Sequence, residues 1–203
     1  YDVNSKTTNK PKINILKNET LITKKQLNTQ GKISHFDVSP DNKKMAFVSR
    51  GRLFVSDLKG KFIQEINTDP LERVKEVQWM ADNEHLLYTR TVKGWTNLFK
   101  ISAIKNNLEK QLTFENKTER NISLSPKRDQ AVYISGSTNL NMIDLKTNKV
   151  EHIVEDEFWF RGAQPQFSPD GKFIAFTAFR IFEPDVLVYD INLKRKIHIT
   201  KTG

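Results

Sequence analysis

Short apolar runs, separated by polar turns, recur along the chain. In each repeat an apolar residue precedes a tight turn, a second apolar run follows, and a third run ends near an aspartate. The clearest copy spans residues 164–190, where Ser168-Pro169-Asp170-Gly171 separates Phe167 from Phe173. Proline presets φ to about −65° at the second turn position, and aspartate and glycine tolerate the remaining angles. The pattern predicts an antiparallel meander of short strands.

The meander occurs four times. The residues before the turns are Val38, Trp79, Leu124 and Phe167, so the repeats are offset by 41, 45 and 43 residues. A period in the forties with about four strands per unit is typical of β-propeller blades. A helical solenoid would need apolar residues at a spacing of about 3.6, and a doubly wound sheet would need amphipathic crossover helices. The sequence therefore predicts an all-β fold, a β-propeller of four-stranded antiparallel blades.

The repeats suggest a division of the chain. We expect blades at residues 31–72, 73–116, 117–159 and 160–203, the last two strands of a partial blade at 13–30, and a linker or frayed end at 1–12. About four and a half blades are thus present. Propellers close with about four to eight blades, and the two ends of this chain do not complete one another, so we expect part of a larger, six- to eight-bladed ring.

An open array of blades would leave apolar faces uncovered at its two ends. The isolated segment is therefore expected to be marginally stable or to self-associate, for example as a homo-oligomer. The residues expected on these open faces are Ile13, Ile15, Leu21, Phe173, Phe176 and Val188.

Composition narrows the function classes only slightly. The chain has 203 residues, a net charge of +9 and no cysteine, which excludes a disulfide framework and a thiol nucleophile. A basic balance can indicate nucleic-acid binding, but the lysines are spread over turns and strand edges, where charge protects a sheet from pairing with other sheets. We therefore expect no nucleic-acid partner. No apolar run approaches the roughly 20 residues of a membrane span.

Residues that could carry chemistry are few. The pattern Gly-x-Ser-x-Gly is absent, and its nearest relative, Ser135-Gly136-Ser137, falls in a short hairpin loop. The four histidines occupy unrelated repeat positions and show no metal-ligand spacing; they are His35, His85, His152 and His198. The sequence predicts no catalytic residue, no metal site and no cofactor in this segment.

Two recurring residue types have a structural explanation. Aspartates that end the third runs are expected to accept backbone N–H groups and start the next turn; they are Asp57, Asp144 and Asp190. Aromatic residues at one position of the second runs are expected to pack one blade on the next; they are Phe47, Tyr88, Tyr133 and Phe176.

The run from Phe167 to Thr177 resembles the repeat of TolB-like and tricorn-type propellers, and Ser39-Pro40-Asp41-Asn42 matches its turn. Residues 33–41, followed by 50–55, resemble the opening blade of the second propeller in tricorn-like serine peptidases. The resemblance covers about residues 13–203. It implies a non-catalytic β-propeller segment that guides or gates peptide substrates, with the peptidase domains of the parent chain as a partner.

The resemblance leaves other functions open. The alternatives are a stand-alone TolB-like propeller that binds proteins, and the propeller of a prolyl-oligopeptidase-like hydrolase. The parent chain is expected to be a serine peptidase, whereas this segment matches none of its catalytic domains. The resemblance favours a periplasmic or exported protein, and a cytoplasmic one stays open.

One face of the propeller is the candidate for binding. The loops between second and third strands, and the connections between blades, emerge on the same face and collect arginines and aromatic residues. Guanidinium groups bind carboxylates with two parallel hydrogen bonds, and aromatic rings anchor apolar groups. We expect a peptide site there; the alternative is a plain solvated surface. The candidate residues are Arg50, Arg52, Arg90, Trp95, Trp159, Arg161 and Arg180.

Overall fold

The fold is taken from a computed structural model that describes residues 4–8, 14, 28–105, 109–155, 160, 163–180 and 183–200, with the backbone alone at 179 and 180. These ranges hold sixteen β-strands and no α-helix. The strands form four sheets of four, each antiparallel and ordered as in the sequence. The prediction of an all-β fold with four-stranded blades is confirmed. Most of the expected linker (1–12) and partial blade (13–30) lies outside the described residues.

Each sheet is one blade. The first blade consists of β1 (Ile33–Val38), β2 (Lys44–Ser49), β3 (Arg52–Asp57) and β4 (Ile63–Ile66). The second consists of β5 (Val74–Trp79), β6 (His85–Val92), β7 (Trp95–Ser102) and β8 (Lys110–Gln111). The third consists of β9 (Glu119–Leu124), β10 (Gln130–Ser135), β11 (Asn139–Asp144) and β12 (Val150–Glu155). The fourth consists of β13 (Gln166–Phe167), β14 (Phe173–Arg180), β15 (Glu183–Asp190) and β16 (Arg195–His198).

The turn after each first strand has the same geometry in all four blades. Its fourth residue has a positive φ: 56° at Asn42, 55° at Asn83, 54° at Arg128 and 72° at Gly171. The N–H of this residue donates to the carbonyl oxygen of the first turn residue, at 2.8 to 3.4 Å. Asparagine and glycine suit this conformation, whereas for arginine it costs about 1–2 kcal/mol.

The aspartates have the structural roles that the sequence predicts. Asp57 accepts the backbone N–H of Phe62 at 2.8 Å, and Asp144 accepts that of Thr147 at 2.7 Å. Asp190 accepts the N–H of Leu193 at 2.9 Å. These hydrogen bonds hold the pKa of the Asp57 and Asp144 carboxyl groups below its usual range. The carboxylates shape turns.

The core consists of three buried apolar clusters, one at each junction between consecutive blades. All four members of the predicted aromatic series are buried, with exposed fractions of 4% or less. Tyr88, Tyr133 and Phe176 lie in these junctions, whereas Phe47 belongs to none of the three clusters and stacks on Phe54 of its own blade, with 5.3 Å between centroids. The Phe176 ring meets the ring of Phe160 edge-on, with 5.7 Å between centroids. Blade-to-blade packing is confirmed for Tyr88, Tyr133 and Phe176.

One prediction about the open faces is wrong. Phe176 is buried against the third blade, because alternation along β14 turns Ile174 and Phe176 towards that blade and Ala175 away from it. Phe173 and Val188 are half-buried. Ile13, Ile15 and Leu21 lie outside the described residues.

The first blade also presents an uncovered position. Phe36 is 62% exposed, whereas its repeat equivalents Val77, Ile122 and Pro165 are buried against the preceding blade. No blade precedes β1 among the residues that the structure describes.

Loops between second and third strands meet the connections between blades on one face, which we call the loop face. Val74 N donates to Gly51 O at 2.9 Å, and Gly136 N donates to Thr118 O at 2.9 Å. Phe160 N donates to Ser137 O at 2.7 Å. The turns that follow the first strands lie at the opposite end of the strands, on what we call the turn face.

Candidate functional site

The first strands of consecutive blades lie side by side and enclose a polar pocket of about 230 Å³, which we call the axial pocket. Every blade contributes to it, from its first strand or from the residues immediately before that strand. The lining residues are His35, Glu76, Gln78, Asn121, Ile122, Gln164, Pro165 and Gln166.

A single repeat position supplies half of this lining. His35, Glu76, Asn121 and Gln164 each lie three residues before the last residue ahead of the turn, and all four side chains are polar. Because the repeat is regular, equivalent positions come together around the axis. Sequence reasoning missed this site, although four polar residues at one repeat position were a visible signal.

Several polar groups in the pocket are held by the backbone of the neighbouring blade. The Glu76 carboxylate accepts the N–H groups of Asn121 and Ile122 at 2.9 and 3.0 Å, so both of its oxygens are engaged. Gln78 Nε2 donates to Ile122 O at 2.9 Å, and Asn121 Nδ2 donates to Ala163 O at 2.8 Å. These bonds fix the side chains in place.

His35 and Gln78 keep further hydrogen-bonding capacity. The backbone N–H of Val77 lies 3.4 Å from His35 Nδ1 and donates to it, which places the proton of a neutral ring on Nε2. The Oε1 atom of Gln78 is buried and accepts no hydrogen bond from the described residues. Because Gln78 Oε1 is buried, the groups accessible to a ligand are the ring N–H of His35 and the exposed side-chain amides of Gln164 and Gln166.

Arg128 lies at the turn-face end of the first strands and binds two of them. Its Nη1 lies 2.7 Å from Asp37 Oδ2 and 2.6 Å from Trp79 O, so a residue of the third blade binds the first and second blades together. Asp37 Oδ2 also accepts the N–H of Trp79 at 2.8 Å. These contacts account for an arginine at a turn position of positive φ.

A second concave site lies on the loop face between the first two blades and measures about 440 Å³. We call it the cationic groove; its lining residues are Lys32, Ser34, Arg50, Gly51, Arg73, Val74 and Lys75. Within the described ranges, none of its four cations lies within 4 Å of a carboxylate. On β1 and β5 the lining continues into His35 and Glu76, so the groove adjoins the axial pocket.

The candidate residues from the sequence fall into different environments. Arg50 lines the cationic groove. Arg52 lies outside that lining, and its Nη1 is 3.5 Å from the Glu65 carboxylate. Trp95 is 43% exposed at the start of β7. Trp159, Arg161 and the side chain of Arg180 lie outside the described residues.

Arg90 is buried, with 8% of its surface exposed. Its guanidinium binds Glu109 with two hydrogen bonds, one of them 3.0 Å from Nε to Oε2, and lies 4.0 Å from the centroid of the Phe99 ring. Tyr88 donates its hydroxyl to the same carboxylate, and burial followed by that carboxylate raises the Tyr88 pKa well above its usual range. The structure thus gives Arg90 partners within the fold, and Arg90 is not among the residues that line the cationic groove with Arg50.

The described ranges contain neither a candidate metal site nor a candidate membrane-spanning helix. No group of three or more histidine, cysteine, aspartate or glutamate residues there could hold a metal ion. No helix there is both long enough and apolar enough to cross a membrane.

No family model matches the chain, and no curated protein matches it either. Solved structures do. The tricorn protease superposes with a TM-score of 0.70 at 16% identity, over 84% of this chain and 17% of that one. TolB from Acinetobacter baumannii gives 0.63 at 18% identity, over 79% of this chain and 42% of that one.

A putative TolB from Agrobacterium tumefaciens gives a TM-score of 0.65 at 16% identity, over 84% of this chain and 62% of that one. The chain therefore spans less than two thirds of each of these proteins. At such identities the likeness shows the fold. Four consecutive meanders, packed through their first strands and superposing on these structures, show that this chain has a β-propeller fold.

Proposed function

We propose that this propeller binds peptides or protein segments, and that it serves as a non-catalytic segment of a tricorn-like serine peptidase, where it guides or gates peptide substrates. The observation that carries the proposal is the axial pocket, to which all four blades contribute side-chain amides or other polar groups. A primary amide has the same donor and acceptor groups as a peptide bond. A pocket of amides can therefore hold a peptide backbone without selecting its sequence.

The chemistry of the pocket supports binding rather than bond cleavage. Its lining has no hydroxyl or thiol nucleophile. The Glu76 carboxylate, the one acid in the lining, has both oxygens bound to backbone N–H groups. Its partners in a guiding role would be peptide substrates and the peptidase domains of the parent chain.

The likeness to two TolB structures favours a second candidate, a stand-alone propeller that binds protein partners. Both candidates need a peptide-binding surface, and they differ in what the parent chain carries. Mass spectrometry of the native protein, together with assay of its peptidase activity, separates them: a larger chain that cleaves peptides supports the first, and an inactive propeller supports the second.

Replacement of Gln164 and Gln166 together by Ala is expected to weaken binding of a neutral peptide about tenfold, because each lost hydrogen bond contributes about 0.5–1.5 kcal/mol. Both side chains are exposed in the pocket lining, so folding should be preserved. The measurement is fluorescence anisotropy with a labelled, amidated peptide of alternating glutamine and alanine.

The matched control is the double variant Gln64→Ala, Asn192→Ala, which removes two exposed side-chain amides that lie outside the axial pocket. Its affinity for the peptide should equal that of the parent protein. Equal affinities in all three proteins would contradict peptide binding at the axial pocket.

A further inference from the structure

The charge of the cationic groove distinguishes it from the axial pocket. Two arginines and two lysines line it, and no aspartate or glutamate does. Some exposed cations elsewhere in the described ranges do have a carboxylate within 4 Å, such as Glu65 for Arg52 and Glu151 for Lys194. Four cations without such a neighbour create a positive potential that no carboxylate of the described residues neutralises at close range.

From this we infer that the cationic groove binds acidic peptide segments through side-chain carboxylates, and so gives the propeller a preference for acidic ligands. The inference rests on the proposed function and names its ligand class. The groove adjoins the axial pocket along β1 and β5, so one extended ligand can contact both.

The number of cations indicates a ligand with more than one negative charge. A single carboxylate is satisfied by one guanidinium, which donates two parallel N–H bonds to it. Arg50 and Arg73 each offer such a fork, and Lys32 and Lys75 add two point charges. A lone terminal carboxylate would leave most of this charge unmatched, whereas neighbouring aspartate or glutamate side chains would match it.

The lining favours a peptide over a nucleic acid. Single-stranded nucleic acids are bound by cationic grooves that also carry aromatic rings, on which the bases stack. The groove has no aromatic residue; its non-polar lining is Val74 and the backbone of Gly51. A small aliphatic surface suits the methylene groups of acidic side chains.

Gly51 positions one of the two guanidinium forks. The Arg73 side chain lies over the α-carbon of Gly51, and a Cβ atom there would come within 3.0 Å of Arg73 Nε. Gly51 also has a φ of 78°, which favours glycine. The missing side chain therefore lets Arg73 lie against the β2–β3 turn, next to Arg50.

The test compares two labelled, amidated peptides, one of alternating glutamate and alanine and one of alternating glutamine and alanine. By fluorescence anisotropy at low salt, the acidic peptide should bind about tenfold more tightly than the neutral one, and high salt should reduce this preference. The double variant Arg50→Ala, Arg73→Ala should lose the preference, because it removes both forks.

Two controls isolate the groove. The variant Lys59→Ala, Lys61→Ala removes the same charge from exposed lysines in the β3–β4 turn, on the turn face, and should keep the preference. Arg52→Ala, on the same hairpin as Arg50, should keep it as well, since Arg52 lies outside the groove. If Arg73→Ala impairs folding, Lys32→Ala, Lys75→Ala provides an equivalent test at two exposed residues.

Equal affinities for the two peptides in the parent protein would overturn the inference, as would an equal loss in the lysine control. Displacement of the acidic peptide by a short single-stranded oligonucleotide at a lower concentration than by unlabelled acidic peptide would overturn it in favour of nucleic acid. A different result would contradict the proposed function. In that case the neutral peptide would show no binding that depends on Gln164 and Gln166, whatever the affinity of the protein for the acidic peptide.

Discussion

Replacement of Trp79 by Ala is expected to lower the free energy of unfolding by about 3–5 kcal/mol, because the indole is fully buried and its loss leaves a cavity that neighbours cannot fill. Trp79 lies in the cluster between the first two blades, with Val48 and Leu53 of the first blade. Its backbone N–H and carbonyl bind Asp37 and Arg128, which restricts how far β5 can shift to close the gap. The measurement is urea denaturation followed by fluorescence or circular dichroism.

Leu71→Ala is the matched control, since Leu71 is 91% exposed in the connection between the same two blades. It should change the free energy of unfolding by no more than about 0.5 kcal/mol. Trp79→Phe keeps a large ring and should fall between the two. A Trp79→Ala variant as stable as Leu71→Ala would show that the junction between the first two blades does not depend on this side chain.

The fold was predictable because its signals are local. Proline and aspartate in the turn from Ser168 to Gly171 have strong preferences for particular backbone angles, so they indicate a turn directly. The aspartates at 57, 144 and 190 indicate the turn after the third strand, because each accepts backbone N–H groups there. A fixed period then multiplies one recognised blade into four. The side of the blade that a residue faces is harder to infer: Phe176 was expected on an open face, yet one position along β14 separates buried Phe176 from exposed Ala175.

The candidate sites depend on contacts between blades, which a linear pattern does not contain. Arg50 and Arg90 occupy similar hairpin positions, yet Arg50 is exposed in the groove, whereas Arg90 is neutralised by Glu109, which directly precedes β8 in the same blade. The other three cations of the groove come from both blades. Lys32 precedes β1, whereas Arg73 and Lys75 flank the first residue of β5. Their convergence follows from how the blades pack.

For the axial pocket, by contrast, the sequence does contain a usable pattern, namely a polar residue at the same position of all four repeats. His35, Glu76, Asn121 and Gln164 share one repeat position. Their polar character has meaning only once the first strand is known to be the innermost one, as the contacts of β1 with β5 and of β5 with β9 show. A polar side chain on an innermost strand faces neighbours from other blades, so it can be both satisfied and accessible.

Replacement of Glu119 by Gln is expected to remove a pH dependence of stability that amounts to about 3 kcal/mol between pH 4.5 and 7. The Glu119 side chain lies between the second and third blades and is 1% exposed. Its Oε2 accepts the N–H of Leu98 at 3.0 Å and the hydroxyl of Thr113. Burial, the largest cause, raises the pKa of this carboxyl group from 4.5 to about 7, and the Glu115 carboxylate acts in the same direction.

The sign follows from where the proton is held. Below pH 4.5 Glu119 is protonated in both the folded and the unfolded chain, so it adds no pH dependence. Between 4.5 and about 7 the unfolded chain loses the proton while the folded chain keeps it, and stability falls as pH rises, by up to about 1.4 kcal/mol per pH unit. Above about 7 the carboxyl group is ionised in both states, and the loss is complete.

The amide introduced by Glu119→Gln would keep an oxygen that can accept from Leu98 and Thr113, but it would not ionise. Urea denaturation at several pH values should therefore show the parent protein losing stability relative to Glu119→Gln as pH rises from 4.5 to 7, with a constant difference above that range. Taking the difference between the two proteins cancels the contributions of the other titratable groups, which both proteins share.

Glu115→Gln is the control, at an exposed residue of the same segment. It should retain most of the slope, because burial rather than the Glu115 carboxylate is the main cause of the raised Glu119 pKa. Parallel stability profiles for the parent protein and Glu119→Gln would show that Glu119 is already ionised in the folded state at about pH 5, despite its place between two blades.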